Sequence, residues 1–217
     1  SAEELVTIEN TGNLDLSVLL SVEGVEEYLS LSDSSLDLEG SESTSIILDF
    51  LAKRVGGFTG QIIATAGEIR QTIPIIFEVI TKLVLFDVKL DIPSSYSKVE
   101  VGGNLRTQIT LLNVGAPELV DVFVTYFIKD LKGNVIYEET ETFAVEKQRS
   151  YVKSFKIFDG LELGSYVVIA EVRYADSFAV SSQLFRVVEK KTFELEEITK
   201  NSTVMIVLAL MLTGFLL

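Results

Sequence analysis

The sequence predicts an all-β protein: two tandem immunoglobulin-like β-sandwiches followed by a C-terminal hydrophobic (transmembrane) helix. Three observations predict it. Apolar residues alternate with polar ones in short runs from residue 6 to residue 188, which is the two-residue period of half-buried strands. A pattern of strand, Asn-x-Gly and strand occurs at Asn10 and again at Asn113, one module length apart. The run Val204–Leu217 carries no charge, and such a run marks a membrane helix.

Residues 1–81 read as the first sandwich, with about six strands and no helix. Val6-Thr7-Ile8-Glu9 alternates and meets the turn Asn10-Thr11-Gly12-Asn13. Leu14, Leu16, Val18, Leu20 and Val22 then share one face. Tyr28–Leu31 forms a short strand, and a polar loop runs on to Glu42. Ile46, Leu48 and Phe50 alternate before Gly56-Gly57 breaks the chain. Phe58–Thr65 makes another strand, and Ile73, Ile75, Phe77 and Val79 define the last. Pro74 falls on the opposite phase, so that strand lies at a sheet edge with its missing N–H toward solvent.

Residues 82–189 read as a seven-stranded sandwich with regularly spaced turns. Val84, Phe86, Val88, Leu90 and Ile92 face one way until Pro93-Ser94-Ser95. Leu105, Thr107, Ile109 and Leu111 follow Gly102-Gly103, and Val120–Ile128 follows Asn113–Pro117. The turn Lys129–Asn134 leads to Val135–Val145 and then Gln148–Phe158. Tyr166, Val168, Ala170, Val172 and Tyr174 are in phase, and Phe178–Val188 closes the module. The junction Glu78–Val84 contains no Gly, Pro or Ser, so the two modules should sit stiffly end to end rather than on a flexible linker.

The repeat exposes a gap. The second copy has a full strand before Asn113, whereas only nine residues precede Asn10. The first copy therefore lacks its opening strand. Two explanations are open: the chain is a piece of a longer array, or another chain donates the strand by β-augmentation.

Composition excludes several functions. The chain has no Cys and no His, which removes thiol nucleophiles, disulfides, imidazole bases and Cys/His zinc sites. Its 32 acidic and 18 basic residues give a net charge of −14, which argues against nucleic acid as a partner. Gly102-Gly103-Asn104 is a turn, with no following helix or Lys-Ser/Thr to make a phosphate loop. Glu138-Glu139-Thr140-Glu141 alternates along one strand and does not read as the facing carboxylates of a glycosidase. Asp33, Asp37 and Glu39 bring three carboxylates into one segment, which makes them the candidate calcium ligands, although the Gly of an EF-hand loop is missing. No other cofactor is implied, and a small-molecule ligand is not expected. Asn201-Ser202-Thr203 is a glycosylation sequon.

The motifs Val6–Leu14 and Ile109–Gly115 resemble the CARDB and NEW3-like immunoglobulin-type repeats. These occur in archaeal and bacterial surface proteins, including S-layer-type proteins with a C-terminal membrane helix. The resemblance implies a surface-displayed adhesion or scaffold role and brings no catalytic residues with it.

Residues 190–203 form a charged connector, and residues 204–217 a partial transmembrane helix with Val204, Ile206, Leu208, Leu210, Leu212 and Phe215 as anchor residues. Fourteen residues make a helix about 21 Å long, short of the roughly 30 Å hydrocarbon core, so the run reads as part of an anchor. The expected protein is a non-enzymatic, membrane-anchored cell-surface protein with an extracellular ectodomain, acting as a stalk, S-layer or adhesion module. Its expected partners are the membrane and other subunits or repeats of the same protein. The alternative is a subunit of an extracellular filament or larger membrane complex, assembled through the sheet edge and the apolar helix. An accessory carbohydrate-binding module or enzyme is the third reading, disfavoured by the absence of Trp and His.

Overall fold

The computed structural model describes residues 2–82, 85–115 and 119–190. Within them the chain is all-β, with a single 3-10 turn at Ser94–Tyr96. The first module contains β1 (Ala2–Glu9), β2 (Leu16–Glu23), β3 (Leu29–Leu31), β4 (Ser35–Leu38), β5 (Ser43–Phe50), β6 (Gly56–Ala66) and β7 (Ile69–Val79). The second contains β8 (Phe86–Asp91), β9 (Lys98–Glu100), β10 (Asn104–Asn113), β11 (Val120–Asp130), β12 (Val135–Val145), β13 (Gln148–Lys156), β14 (Gly164–Tyr174) and β15 (Ser177–Val188).

Each module is a pair of sheets. The first pairs β1-β5-β3 with β4-β2-β6-β7, and the second pairs β13-β10-β8 with β12-β11-β14-β15-β9. The alternating residues meet in two separate cores. One gathers Val18, Leu20, Ile46, Leu48, Phe58 and Ile62 around the ring stack of Tyr28, Phe58 and Phe77. The other gathers Phe86, Leu105, Ile109, Val124, Tyr126, Phe155 and Phe185. Fully burying side chains of this size stabilises by about 1.5–3 kcal/mol each, which is why the alternation dictates the sheets.

The two modules share part of their strand order. The ladder β1-β5 matches β10-β13, and β4-β2-β6-β7 matches β12-β11-β14-β15. The Asn10 side-chain oxygen accepts from the Gly12 N–H at 3.0 Å, and that of Asn113 accepts from the Gly115 N–H at 3.3 Å. Both are Asx turns, in which the amide side chain closes the loop that Gly lets turn. Pro74 lies on β7, an edge strand of its sheet, where its missing donor costs no ladder bond.

The structure corrects three expectations. The segment read as a polar loop after Leu31 contains β4, whose Leu36 and Leu38 face the core while Ser35 and Asp37 face water. A further short strand, β9, follows the 3-10 turn and runs parallel to β15. The modules are not stacked end to end. The end of the first module formed by the start of β6 and the end of β7 packs on the outer face of β14 and β15. The expected connector beyond residue 190, the sequon at Asn201 and the anchor residues Val204, Ile206, Leu208, Leu210, Leu212 and Phe215 lie outside the described residues. Among the described residues no helix is long and apolar enough to cross a membrane.

Candidate functional site

Two features of the molecule have the geometry of recognition: the junction between modules and an open sheet edge on the first. The junction is built on β14, which is apolar on both faces. Its Val168, Ala170 and Val172 enter the second core, while Val167 and Ile169 point outward and join Phe178 and Val180 of β15 in a separate cluster. Val55 and Ile76 of the first module close over it, so the outer face is buried as fully as a core.

Polar groups around that cluster are paired across the junction. The Gly57 N–H donates to the Glu171 carboxylate at 3.2 Å, and the Lys129 ammonium donates to the Gly57 carbonyl at 2.8 Å. Thr59 donates its hydroxyl to the Asp130 carbonyl at 2.9 Å, and Ser182 donates to the Glu78 carboxylate at 2.6 Å. Burial pulls the Lys129 ammonium below the ordinary lysine range, with the Glu171 carboxylate acting in the opposite direction. Glycine makes the close approach possible. A Cβ on Gly57 would fall 2.7 Å from the Ile169 Cγ2, and one on Gly24, at φ +90°, would fall 2.6 Å from the Lys132 carbonyl carbon.

The open edge is β1. It is the terminal strand of its sheet, whereas its counterpart β10 lies between β13 and β8. Beside it, Ala2, Glu4, Phe50, Phe77, Val79 and Ile80 line a groove of about 470 Å³.

Of the candidate residues from the sequence, Asp37 and Glu39 line one cleft with Asp15 and Glu42, and Asp33 lies outside it. Asp37 lies on the water-facing side of β4 and accepts from the Ser17 hydroxyl at 2.6 Å, while Asp33 accepts from Ser32 at 2.8 Å. The Glu39 N–H, in turn, is bonded by the Glu42 carboxylate. These residues do not form a metal-holding set, and no group of three or more acidic side chains placed to hold an ion occurs among the described residues.

Glu139 and Glu141 do share a face, but Lys153 stands between them at 2.8 and 3.1 Å. Bonds from Lys153 and then Tyr137 hold the Glu139 carboxyl below its ordinary range. Burial works against the Lys153 charge, yet the bonds to both carboxylates hold its pKa above the ordinary lysine value. A glycosidase needs one of its two carboxyls kept protonated, and the bonds from Lys153 and Tyr137 favour the ionised form of Glu139. Beneath them Tyr126 and Tyr151 share a hydrogen bond of 2.5 Å.

That tyrosine pair gives a pH prediction. Burial first raises the Tyr151 hydroxyl, which is pushed up to about 12, whereas an unfolded tyrosine ionises near pH 10. Between those values the unfolded chain has released a proton that the folded one keeps. The contribution to stability is therefore complete below about pH 10 and is lost as pH rises through about 12. Denaturant midpoints of the second module should fall over that range, and Tyr151→Phe should flatten the fall.

No protein-family model matches the sequence, and no curated protein matches it. Among solved structures, the chain is similar to the CARDB domain of a Pyrococcus furiosus protein solved in complex with di-metal ions. The identity is 15%, over 50% of this chain and 95% of that one, with a TM-score of 0.34. It is also similar to the CupB2 chaperone of Pseudomonas aeruginosa, at 8% identity over 85% and 92% of the two chains and a TM-score of 0.33. A β-glucosidase from Listeria innocua in complex with glucose matches at 12% identity over 49% of this chain but 16% of that one, with a TM-score of 0.37. At identities and scores this low, the likenesses carry no activity, ligand or location over to this chain.

Sequence reasoning missed the junction. Its signal was present: Tyr166–Ala170 is apolar on both phases, the pattern of a strand buried on both faces.

Proposed function

We propose that this chain is a non-enzymatic cell-surface module, held at the membrane by its C-terminal apolar run, in which two β-sandwiches act as one rigid spacer. The observation that carries the reading is the junction. Val167, Ile169, Phe178 and Val180 are buried beneath the first module, and Gly57 is bonded through both its N–H and its carbonyl. Modules joined for independent motion have small, wet interfaces, whereas a spacer that bears load or sets a distance gains from a dry, bonded one.

Charge and composition support the same role. A net charge of −14 keeps a displayed protein soluble and self-repelling. The chain has no His or Cys, and Glu139 and Glu141 are both paired to Lys153.

Fractionation of the producing cells tests the reading. The protein should sediment with membranes, be released by detergent rather than by salt, and be cleaved by protease added to intact cells. Recovery in the soluble cytosolic fraction would contradict it.

A further inference from the structure

We propose that the side of the second module bounded by β12 and β13 binds the same side of a second copy, with β12 of each chain pairing with β13 of the other. This goes beyond the spacer role and does not depend on membrane attachment.

Both strands are sheet edges. β12 ends one sheet and β13 ends the other, and among the described residues neither has a strand on its outer side. The two lie side by side across the sandwich. Tyr151 stacks on Phe143 at 4.6 Å, Lys153 bonds Glu139 and Glu141, and Phe155 meets Tyr137 at 5.6 Å. The short connection at Glu146-Lys147 makes them antiparallel, with Glu141 level with Lys153.

Each edge presents unspent backbone groups. The Asn113 N–H donates to the Lys147 carbonyl and the Ile157 N–H to the Gly103 carbonyl. By the alternation of an antiparallel ladder, Arg149, Tyr151, Lys153 and Phe155 spend their backbone groups on β10, and those of Ser150, Val152 and Ser154 point outward. On the other edge the Asp130 N–H donates to the Asn134 carbonyl. Alternation along β11 then directs Ile128, Tyr126 and Val124 to β12, where they meet Tyr137, Glu139 and Glu141. Glu138, Thr140 and Thr142 are left facing out. Val152, on the open edge of β13, is 64% exposed.

Charge selects the partner and the arrangement. β12 carries Glu138, Glu139 and Glu141 and no basic residue, while β13 carries Arg149, Lys153 and Lys156 and no acidic one. Two kinds of two-fold axis bring the open sides of two copies together. An axis perpendicular to the sheets sets β12 against β12 and β13 against β13, and like charges directly opposite destabilise a strand pair. An axis along the strands sets β12 against β13 twice, antiparallel both times. That rotation keeps each residue at its own height, so Glu141 of one copy falls opposite Lys153 of the other, and Glu138 opposite Lys156. Thr140 then meets Ser154 and Thr142 meets Val152, each through outward backbone groups. Charges of one sign guard an edge against its own copy, but edges of opposite sign flanking one opening complement each other. The contact is self-complementary and closed, and it continues both sheets from one copy into the next. Both chains run in the same direction, as two copies displayed from one surface require.

The full chain in mild detergent, followed by sedimentation equilibrium, tests the proposal. The unaltered protein should dimerise reversibly. Glu138→Lys sets lysine opposite Lys156 in both new ladders, and Lys156→Glu sets glutamate opposite Glu138. Each variant alone should weaken the dimer about ten-fold. An equal mixture of the two should restore it, because every pair across the contact is then again of opposite sign. Loss of the bond from Lys156 to the Gly102 carbonyl would not be repaired by mixing. Thr140→Cys and Ser154→Cys chains, mixed and oxidised, should form a disulfide between copies that neither variant forms alone. A chain that stays monomeric at all concentrations would overturn the proposal. So would a dimer that both charge reversals leave unchanged, which assigns assembly to another surface, and so would linking of Thr140→Cys to itself, which reports β12 against β12.

Discussion

Asn10→Asp should unfold the first module selectively, lowering its stability by about 3 kcal/mol, the cost of leaving buried carbonyls without donors beside a new buried charge. Asn10 is 3% exposed. Its amide nitrogen donates to the Leu14 carbonyl at 2.8 Å, the Glu39 carbonyl at 2.9 Å and the Leu38 carbonyl at 3.3 Å, while its oxygen caps Gly12. One side chain thus ties the end of β1 to the end of β4 across the sandwich. Aspartate keeps the shape and the Gly12 bond but turns an oxygen toward three carbonyl oxygens. Asn113→Asp should cost less, since the bond from Asn113 to the Glu146 carbonyl is exposed to water. Denaturant titrations followed by circular dichroism, with tyrosine emission as a second probe, should show the early transition for Asn10→Asp alone.

Gly57→Val should separate the modules without unfolding either. The added methyl groups meet Ile169 and Val180, whose side chains already lie 2.7 and 3.3 Å from the position of a single Cβ. Overpacking of this order costs about 1–3 kcal/mol. Here the first module can relieve it by lifting away, because its own core, with Ile46 and Ile62 fully buried, does not include the cluster at the junction. Thermal unfolding should change from one cooperative transition to two. Gly24→Val should act in the same direction, because its Cβ would meet backbone atoms of Lys132, which cannot swing aside as a side chain can.

Much of this architecture is legible in the sequence because burial in a sandwich is one-sided. Leu105, Thr107, Ile109 and Leu111 alternate and are all buried, and the Asn-x-Gly motifs fall on matching turns. The misses have physical causes. β4 carries one Ser, one Asp and two Leu, and its pairing with β2 decides its state more than its own propensity does. β9 is three residues long and is held by a parallel partner distant in sequence, so no local pattern announces it. The junction escaped because alternation was sought on one phase of Tyr166–Tyr174, and the second apolar phase, Val167 and Ile169, was the signal for a second buried face. Of the carboxylates Asp33, Asp37 and Glu39, the last two line one cleft with Asp15 and Glu42, while Asp33 is bonded to Ser32 outside it.

The rigidity of the junction is directly measurable, because a chain without cysteine can be labelled at chosen sites. Glu68→Cys and Glu146→Cys place one spin label on an exposed site of each module. Pulsed dipolar spectroscopy should give a single narrow distance distribution, unchanged by salt and broadened by Gly57→Val. A broad distribution in the otherwise unaltered protein, indistinguishable from that of the Gly57→Val variant, would contradict the account.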